Sequence, residues 1–239
     1  MERENVVPNP PARLALQDQN NFRRHFKERY DVEQQVFGSL DAAAVFSGRE
    51  TLRCSPSELN SQRTADFARA FAPDLAFIFG PGLIREPLFG VLPEDRVNMH
   101  LGLSPWYRGS ATLFWPFYFL EPQFAGVTFH QIIEAPDAGG IVHQCVPELL
   151  PGDGIHDVGA RAVLKARDDL RSMLDDYQRT SRWEYRPQRS AGRLFLNRDF
   201  EPMHLRVIYD LFENGIVDQF LNGGLSGRRP SLVRYGNVS

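Results

Sequence analysis

The chain has 239 residues, of which 42% are hydrophobic and 24% charged, a globular composition with enough apolar residues for a substantial core. Its formal net charge of -3 argues against a general nucleic-acid binder, which needs a concentrated basic surface. Cys54 and Cys145 are too few for a disulfide scaffold and favour a reducing, cytoplasmic compartment. The first 14 residues lack the apolar core of a signal peptide, and we expect no membrane span.

The N-terminal third predicts two helices. Prolines between Pro8 and Pro11 exclude a helix at the start, and the first helix is predicted from Asp18 to a stop at Gly38. A second helix is predicted after Asn60 and ends before Pro73. The aromatic and aliphatic side chains at helical spacing in these segments are Phe22, Phe26, Tyr30, Val36, Phe67 and Phe71.

Four apolar runs bounded by turn residues predict strands, at 75–79, 96–100, 125–133 and 139–146. The first run suits a central parallel strand covered on both faces. Between these strands, helices are predicted at 110–120 and from Ile155 to about Tyr177. The alternation predicts an α/β fold with a doubly wound, mostly parallel sheet, which binds ligands at the carboxyl ends of its strands.

The stretch NMHLGLSPWYRGS, residues 98–110, carries the first candidate chemistry. Asn98 and His100 are two residues apart at a predicted strand end, so their side chains point the same way. Asp137 lies in a tight Pro-Asp-Ala-Gly-Gly turn, where capping of its own backbone is the ordinary role. Beside His100 its carboxylate would favour imidazolium and raise the pKa of the histidine, while Asn98 would stabilise a developing oxyanion. Such a histidine can relay a proton during attack by an amine or by water on an acyl carbon.

The remaining histidines leave alternatives open. His130 could border the pocket or be a packed, hydrogen-bonded core residue, and His143 is similar. No helical His-x-x-x-His and no cysteine pair supports a zinc site from His100, His130 and His143, so we expect no metal. Trp106 and Tyr107 beside Arg108 could stack on a nucleotide or shape the site.

Four blocks in register resemble the folate-dependent formyltransferases. They are Asn98-Met-His100, Pro105-Trp-Tyr-Arg-Gly109, Gly126-Val-Thr-Phe-His130 and Asp137-Ala-Gly-Gly-Ile141. The resemblance implies a Rossmann-like fold, 10-formyltetrahydrofolate as formyl donor, an acceptor amine and no metal. If the family's roles apply at the matching positions, His100 would be the general acid/base, Asn98 would stabilise the tetrahedral intermediate, and Asp137 would raise the pKa of His100.

The same resemblance implies binding residues. The pterin would lie against Gly82, Leu83 and Ile84 and along the backbone of Phe129, His130, Gln131, Ile132 and Ile133. Substrate-binding residues would be Trp106, Tyr107, Arg108 and Ser110, on an aromatic-rich segment suited to a nucleotide-linked amino sugar, as in polysaccharide biosynthesis. The division expected is a catalytic domain over 1–182 and a small C-terminal extension over 183–239. A homodimer is possible through Tyr209, Phe212 and Ile216, although packing within the chain is the safer interpretation of these residues.

The chain departs from the family's pattern in two places. Gly102 stands where a serine is common, and the family's first strand is apparently lacking, since only Val6 and Val7 precede the prolines. Two alternatives to transfer onto an amino sugar therefore stay open. One is hydrolysis of 10-formyltetrahydrofolate by the same triad, and the other is a non-catalytic folate-binding or scaffold protein.

Overall fold

A computed structural model describes residues 7–39 and 41–236, without the side chains of residues 42 and 43. The helices are α1 (Leu16–Phe37), α2 (Ala42–Phe46), α3 (Gln62–Phe71), α4 (Trp115–Tyr118), α5 (Ile155–Thr180) and α6 (Ile216–Leu221). The strands are β1 (Leu75–Phe79), β2 (Asp95–His100), β3 (Arg108–Gly109), β4 (Val127–Gln131), β5 (Ile141–Cys145) and β6 (Leu194–Phe195). The helices predicted from Asp18 to Gly38, between Asn60 and Pro73, and from Ile155 to about Tyr177 are confirmed to within a few residues.

The main sheet has four strands in the order β1-β2-β4-β5. β1 and β2 are parallel, whereas β4 pairs antiparallel with both β2 and β5. Three of the four strands therefore run in the same direction, which confirms the α/β, mostly parallel, Rossmann-like sheet. The reversed strand β4 follows from its connection to β5, because a tight turn joins antiparallel strands and a parallel pair needs a longer crossover. The described residues before β1 form helices and contain no strand.

The prediction that Leu75–Phe79 is a central strand covered on both faces was wrong. Among the described residues β1 pairs with β2 alone, and the side chains of Phe77 and Phe79 are 37% and 52% exposed. In helix α3, Phe71 is likewise exposed, although its spacing predicts a buried position. An apolar run without alternation does not distinguish a central strand from an edge strand.

The two faces of the sheet have different chemistry because side chains alternate along a strand. On one face Val97, Met99, Val127 and Phe129 pack against Ala162, Ala166 and Met173 of α5. The other face carries the polar side chains of the paired positions Asn98 and His130, and of His100 and Thr128. The apolar face packs the sheet against α5, and the polar face carries the side chains of the candidate site.

The C-terminal segment builds a second core with the predicted 110–120 helix, which is much shorter than expected. Helix α4 has four residues with Pro116 in its first turn, where proline is tolerated. The buried residues joining the two segments are Phe114, Trp115, Phe117, Leu205, Ile208, Tyr209, Ile216 and Val217. Tyr209 and Ile216 are 3% and 1% exposed, so they pack within the chain and form no exposed dimer face. The domain division at residue 182 stays a prediction.

None of the described helices is both long enough and apolar enough to cross a membrane.

The packing of α5 on the sheet gives a stability prediction. Met173 is fully buried, and Met173→Ala should lower the free energy of unfolding by roughly 2–5 kcal/mol, since it removes buried apolar surface and leaves a cavity. Arg171→Ala, on the exposed side of the same helix, is the matched control and should change it by less than about 0.5 kcal/mol. Urea unfolding of the three proteins measures both values, and equal midpoints for the two variants would contradict this packing.

Candidate active site

The polar face of the sheet brings together the residues predicted to carry the chemistry. Asn98 and His100 lie at the end of β2, and His130 pairs with Asn98 from β4. The loop between β4 and β5 folds back over this face and places Asp137 beside both histidines. The structure therefore assembles Asn98, His100 and Asp137 as predicted, and it adds His130.

Asp137 lies between the two imidazoles. Its Oδ1 is 3.2 Å from His130 Nε2, and its Oδ2 is 3.6 Å from His100 Nδ1. The backbone N–H of Gly109 donates a hydrogen bond of 2.8 Å to Oδ2. Asp137 itself has a φ of +49°, in the left-handed region that a non-glycine residue enters only at a cost of order 1–3 kcal/mol. The surrounding contacts must offset this cost.

His100 is 7% exposed, and its two ring nitrogens have different partners. Nε2 lies 3.1 Å from the carbonyl oxygen of Tyr107, which only accepts hydrogen bonds, so this nitrogen carries the proton. Nδ1 faces Asp137 at 3.6 Å, beyond hydrogen-bond distance. In neutral His100, Nδ1 is therefore the basic nitrogen. A proton taken up there would lie beside a carboxylate.

Burial is the largest influence on the pKa of His100. Desolvation lowers its pKa below the ordinary value, His130 and Arg108 act in the same direction, and Asp137 and the Tyr107 carbonyl oppose them. The expectation that Asp137 raises the pKa of His100 holds for the interaction and was wrong for the net direction. A lowered pKa keeps His100 neutral, as a proton acceptor, near neutral pH.

His130 completes the cluster. Its Nδ1 lies 2.9 Å from the carbonyl oxygen of Gln131, and its Nε2 faces the carboxylate of Asp137. Asn98 lies 3.3 Å from the same Nε2 through its amide. The alternation of Thr128 and His130 on one strand was the signal in the sequence for this placement.

The environment of Asp137 favours its ionised form. Burial alone would raise its pKa, but the hydrogen bond with His130, the charges of both histidines and the Gly109 N–H outweigh it and hold the pKa at about 2. The carboxylate is therefore charged at any pH near neutrality.

The loop after β2 contacts the site on the side that faces the protein core. Tyr107 is 1% exposed, its ring stacks on Phe195, and its hydroxyl donates to Glu121 at 2.7 Å. Arg108 donates to the carbonyl oxygens of Ala191 and Pro136. Nucleotide stacking by Tyr107 is therefore corrected to a structural role, because no face of its ring is free.

The other two predicted substrate residues are also engaged within the chain. Trp106 is partly buried against Phe124, and Ser110 donates its backbone N–H to Phe195 and accepts from the Trp115 indole.

His143 does not join His100 and His130. It lies on the opposite face of the sheet, where its Nε2 is 3.1 Å from Asp169 and its Nδ1 accepts from the backbone N–H of Tyr235. Cys145 lies close enough to complete a group of three possible metal ligands with His143 and Asp169. The Tyr235 contact, however, fixes the tautomer with a proton on Nε2, and Lys165 already pairs with Asp169. These contacts favour a structural network.

A family model described as "Formyl transferase" matches residues 9–170, well over half of the chain. The chain belongs to the formyl transferase family.

Solved structures agree with this at the level of the fold. The formyltransferase PseJ from Anoxybacillus kamchatkensis, in complex with UDP-4,6-dideoxy-4-formamido-L-AltNAc and tetrahydrofolate, aligns at a TM-score of 0.50 and 20% identity over 70% of this chain and 81% of that one. A sugar N-formyltransferase from a Shewanella species aligns at 0.53 and 17% over 76% and 73% of the two chains. Glycinamide ribonucleotide transformylase 1 from Symbiobacterium toebii aligns at 0.51 and 22% over 66% and 74%.

The predicted folate residues of this formyltransferase lie in two loops and a strand. Gly82 faces open space, Leu83 is 50% exposed, and Asn60 fixes the loop through the Leu83 carbonyl and the Arg85 N–H. Ile84 is partly buried in the same loop.

In the strand region 129–133, the side chain of Phe129 is fully buried toward α5 and cannot contact a ligand on the histidine face. The backbone N–H groups of Gln131 and Ile132 are already bonded within the sheet. Ile133, at 39% exposure, is the freest side chain of this group. The pterin contacts remain a prediction, with Leu83 and Ile133 as its apolar candidates.

Gly102, where the family commonly has serine, is required by close packing in this formyltransferase. A Cβ at residue 102 would lie 2.7 Å from His100 Nε2, 2.7 Å from the Tyr107 carbonyl oxygen and 2.6 Å from Thr112 Cβ. Two of these atoms form the hydrogen bond that orients the imidazole of His100.

Gly102→Ala should consequently displace His100 and lower the rate of the reaction at least tenfold, because the methyl group has no space and the His100–Tyr107 hydrogen bond must yield. Gly227→Ala, at a glycine whose Cβ would meet no atom within 4 Å, is the control and should keep the wild-type rate. Steady-state kinetics of formyl transfer, measured for both variants, tests this prediction. Wild-type turnover in Gly102→Ala would mean that the loop is not held as described.

The ionised Asp137 predicts a pH-dependent stability. Its pKa of about 2 lies below the ordinary 3.8, so its contribution is fully present above about pH 4 and is lost as pH falls toward 2. The shift corresponds to roughly 2 kcal/mol. Asp137→Asn should remove this contribution, so the difference in unfolding free energy from wild type should shrink by about that amount between pH 5 and pH 2. A difference independent of pH, measured by chemical unfolding at each pH, would contradict the account.

Proposed function

We propose that this formyltransferase transfers the formyl group of 10-formyltetrahydrofolate to a primary amine on a nucleotide-linked amino sugar. The observation that carries the proposal is the carboxylate of Asp137 between two buried imidazoles, with the amide of Asn98 beside them. The proposal places the reaction in the cytoplasm, in the supply of precursors for polysaccharide biosynthesis.

The residues supply what formyl transfer to an amine requires. 10-Formyltetrahydrofolate, when bound, supplies the formyl group. An amine that becomes an amide must lose a proton, and the unprotonated Nδ1 of His100 is the base within the cluster. The resulting imidazolium is stabilised by the Asp137 carboxylate at 3.6 Å. It then gives the proton to the folate nitrogen as the bond between that nitrogen and the formyl carbon breaks, which releases tetrahydrofolate. The amide of Asn98 is the neutral donor suited to the negative charge that develops on the formyl oxygen.

A folate would find partners of suitable chemistry near this face. Gly82 leaves space at the end of β1, and the half-exposed side chains of Leu83 and Ile133 offer apolar contacts to a flat ring. We propose that these residues, with Ile84 and the backbone of 129–133, hold the pterin. Their contribution is binding and orientation, and they provide no titratable group.

Support for a phosphate-bearing acceptor comes from the segment beside the site. Arg193 lies over the ring of Phe119 at 4.7 Å, and the ring of Phe119 is 40% exposed. Arg186 and Arg189 are exposed on the same segment, and no carboxylate pairs with either of them in the described part of the chain. Guanidinium groups beside an exposed aromatic ring suit the phosphates and base of a nucleotide. The PseJ structure contains a nucleotide-linked formamido sugar together with tetrahydrofolate.

Purified protein with 10-formyltetrahydrofolate and a panel of nucleotide-linked amino sugars tests the proposal. We expect release of tetrahydrofolate and a mass gain of one formyl group on one sugar. His100→Ala and Asp137→Asn should each lose at least about 10²-fold in rate, because general acid/base catalysis is removed, and folate binding should persist. Asp175→Asn, an exposed carboxylate of α5, is the control and should keep full activity.

The outcomes separate the alternatives. Formate and tetrahydrofolate without a formylated product would contradict transfer and establish hydrolysis by the same cluster. Folate binding with neither product would identify a binding protein. Formylation of phosphoribosylglycinamide in place of any sugar would retain the reaction and overturn the acceptor.

A further inference from the structure

A segment that follows the part of the chain matched by the family model packs against the site. Residues 186–195 lie outside the matched range 9–170, yet they bond to the loop after β2, to the Asp137 turn and to β5. Arg186 exchanges two backbone hydrogen bonds with Ile141 of β5, and Arg193 bonds to the loop at Pro105 and Arg108. The short strand β6 pairs with β3 next to the Gly109 N–H that holds Asp137.

Gln188 is the residue of this segment that reaches the Asp137 turn. Its side-chain Nε2 donates to the carbonyl oxygen of Asp137 at 2.7 Å and to that of Gly139 at 2.9 Å. Both hydrogens of the amide are thus used on one turn. One bond is to the carbonyl of Asp137 itself, whose φ is +49° and whose backbone needs outside support, and the other is two residues later.

Support for this turn comes chiefly from side chains outside it. Arg108 donates to the carbonyl oxygen of Pro136 at 3.1 Å, one residue before the position that Gln188 holds. Within the turn, the Ala138 N–H reaches the Ala135 carbonyl only at 3.4 Å, which is long for a hydrogen bond. The position of the Asp137 carboxylate relative to the histidines therefore depends on donors from two other segments, β3 and residues 186–195.

We propose that Gln188 is a positioning residue for formyl transfer, which fixes the Asp137 turn so that its carboxylate lies between His100 and His130. The inference rests on the proposed function and adds to it a residue outside the four motifs. Gln188 acts through Asp137 and contacts neither histidine.

Gln188→Met tests the inference because it keeps the length and approximate volume of the side chain and removes both donors. We expect kcat to fall roughly ten- to a hundredfold with KM for folate changed less than about twofold, since misplacement of about 1 Å costs rate of that order. Ser190→Ala, at an exposed position of the same segment, is the control and should match wild type.

A double-mutant comparison isolates the path through Asp137. In the Asp137→Asn background, Gln188→Met should reduce kcat by less than about twofold further, since the group that Gln188 positions is already neutral. A full additional ten- to hundredfold loss in that background would overturn the inference. So would wild-type kcat in Gln188→Met alone.

A second readout does not require activity. The groups that face His100 are Asp137, His130, Arg108 and the carbonyl of Tyr107. A displaced carboxylate supports the imidazolium less, so the NMR titration midpoint of His100 should move to lower pH in Gln188→Met and stay unchanged in Ser190→Ala. An unchanged midpoint in Gln188→Met would overturn the inference. If wild type forms no product while the midpoint shifts as expected, the proposed function fails and the positioning by Gln188 stands.

Discussion

The site depends on one interaction, the contact of a partly buried carboxylate with two imidazoles. A charge removed from water is costly unless charges or hydrogen-bond donors surround it. Asp137 meets this condition through His130, His100 and the Gly109 N–H, and in return it sets the electrostatic environment of both rings. The turn that presents Asp137 is strained by the positive φ of that residue. The loop therefore needs hydrogen bonds from residues outside it to keep the carboxylate in place. The arrangement of the sheet, the packing of the loops and the proposed chemistry therefore all bear on the position of Asp137.

The sheet makes this contact possible through its register. Asn98 stands opposite His130, and His100 opposite Thr128, so a polar stripe crosses two strands on a single face. The reversed direction of β4 allows a short connection to β5, and this connection is the turn that carries Asp137. A parallel strand at this place would require a long crossover, which would carry the carboxylate away from the histidines.

Much of this was predictable from the residues. The periodicity of α1 and α5 predicts long helices, and the four motifs predict that Asn98, His100 and Asp137 meet. Three features were beyond the sequence for physical reasons. The net acidity of His100 depends on burial, which no local pattern encodes. The aromatic segment around Trp115 folds into a core with residues some 90 positions later, so its spacing suggested a pocket where packing occurs. Gln188 bonds to backbone carbonyls, and any donor of suitable length could occupy such a position without leaving a motif.

The ring protonation of His100 tests the account most directly. In the folded protein at pH 7, ¹⁵N NMR of the imidazole should show a proton on Nε2, held by the Tyr107 carbonyl, and an unprotonated Nδ1 facing Asp137. That result would leave the basic nitrogen beside the carboxylate, as formyl transfer through His100 requires. A proton on Nδ1 with a bare Nε2 would contradict the account, because the base would then point into the Tyr107 loop and away from Asp137.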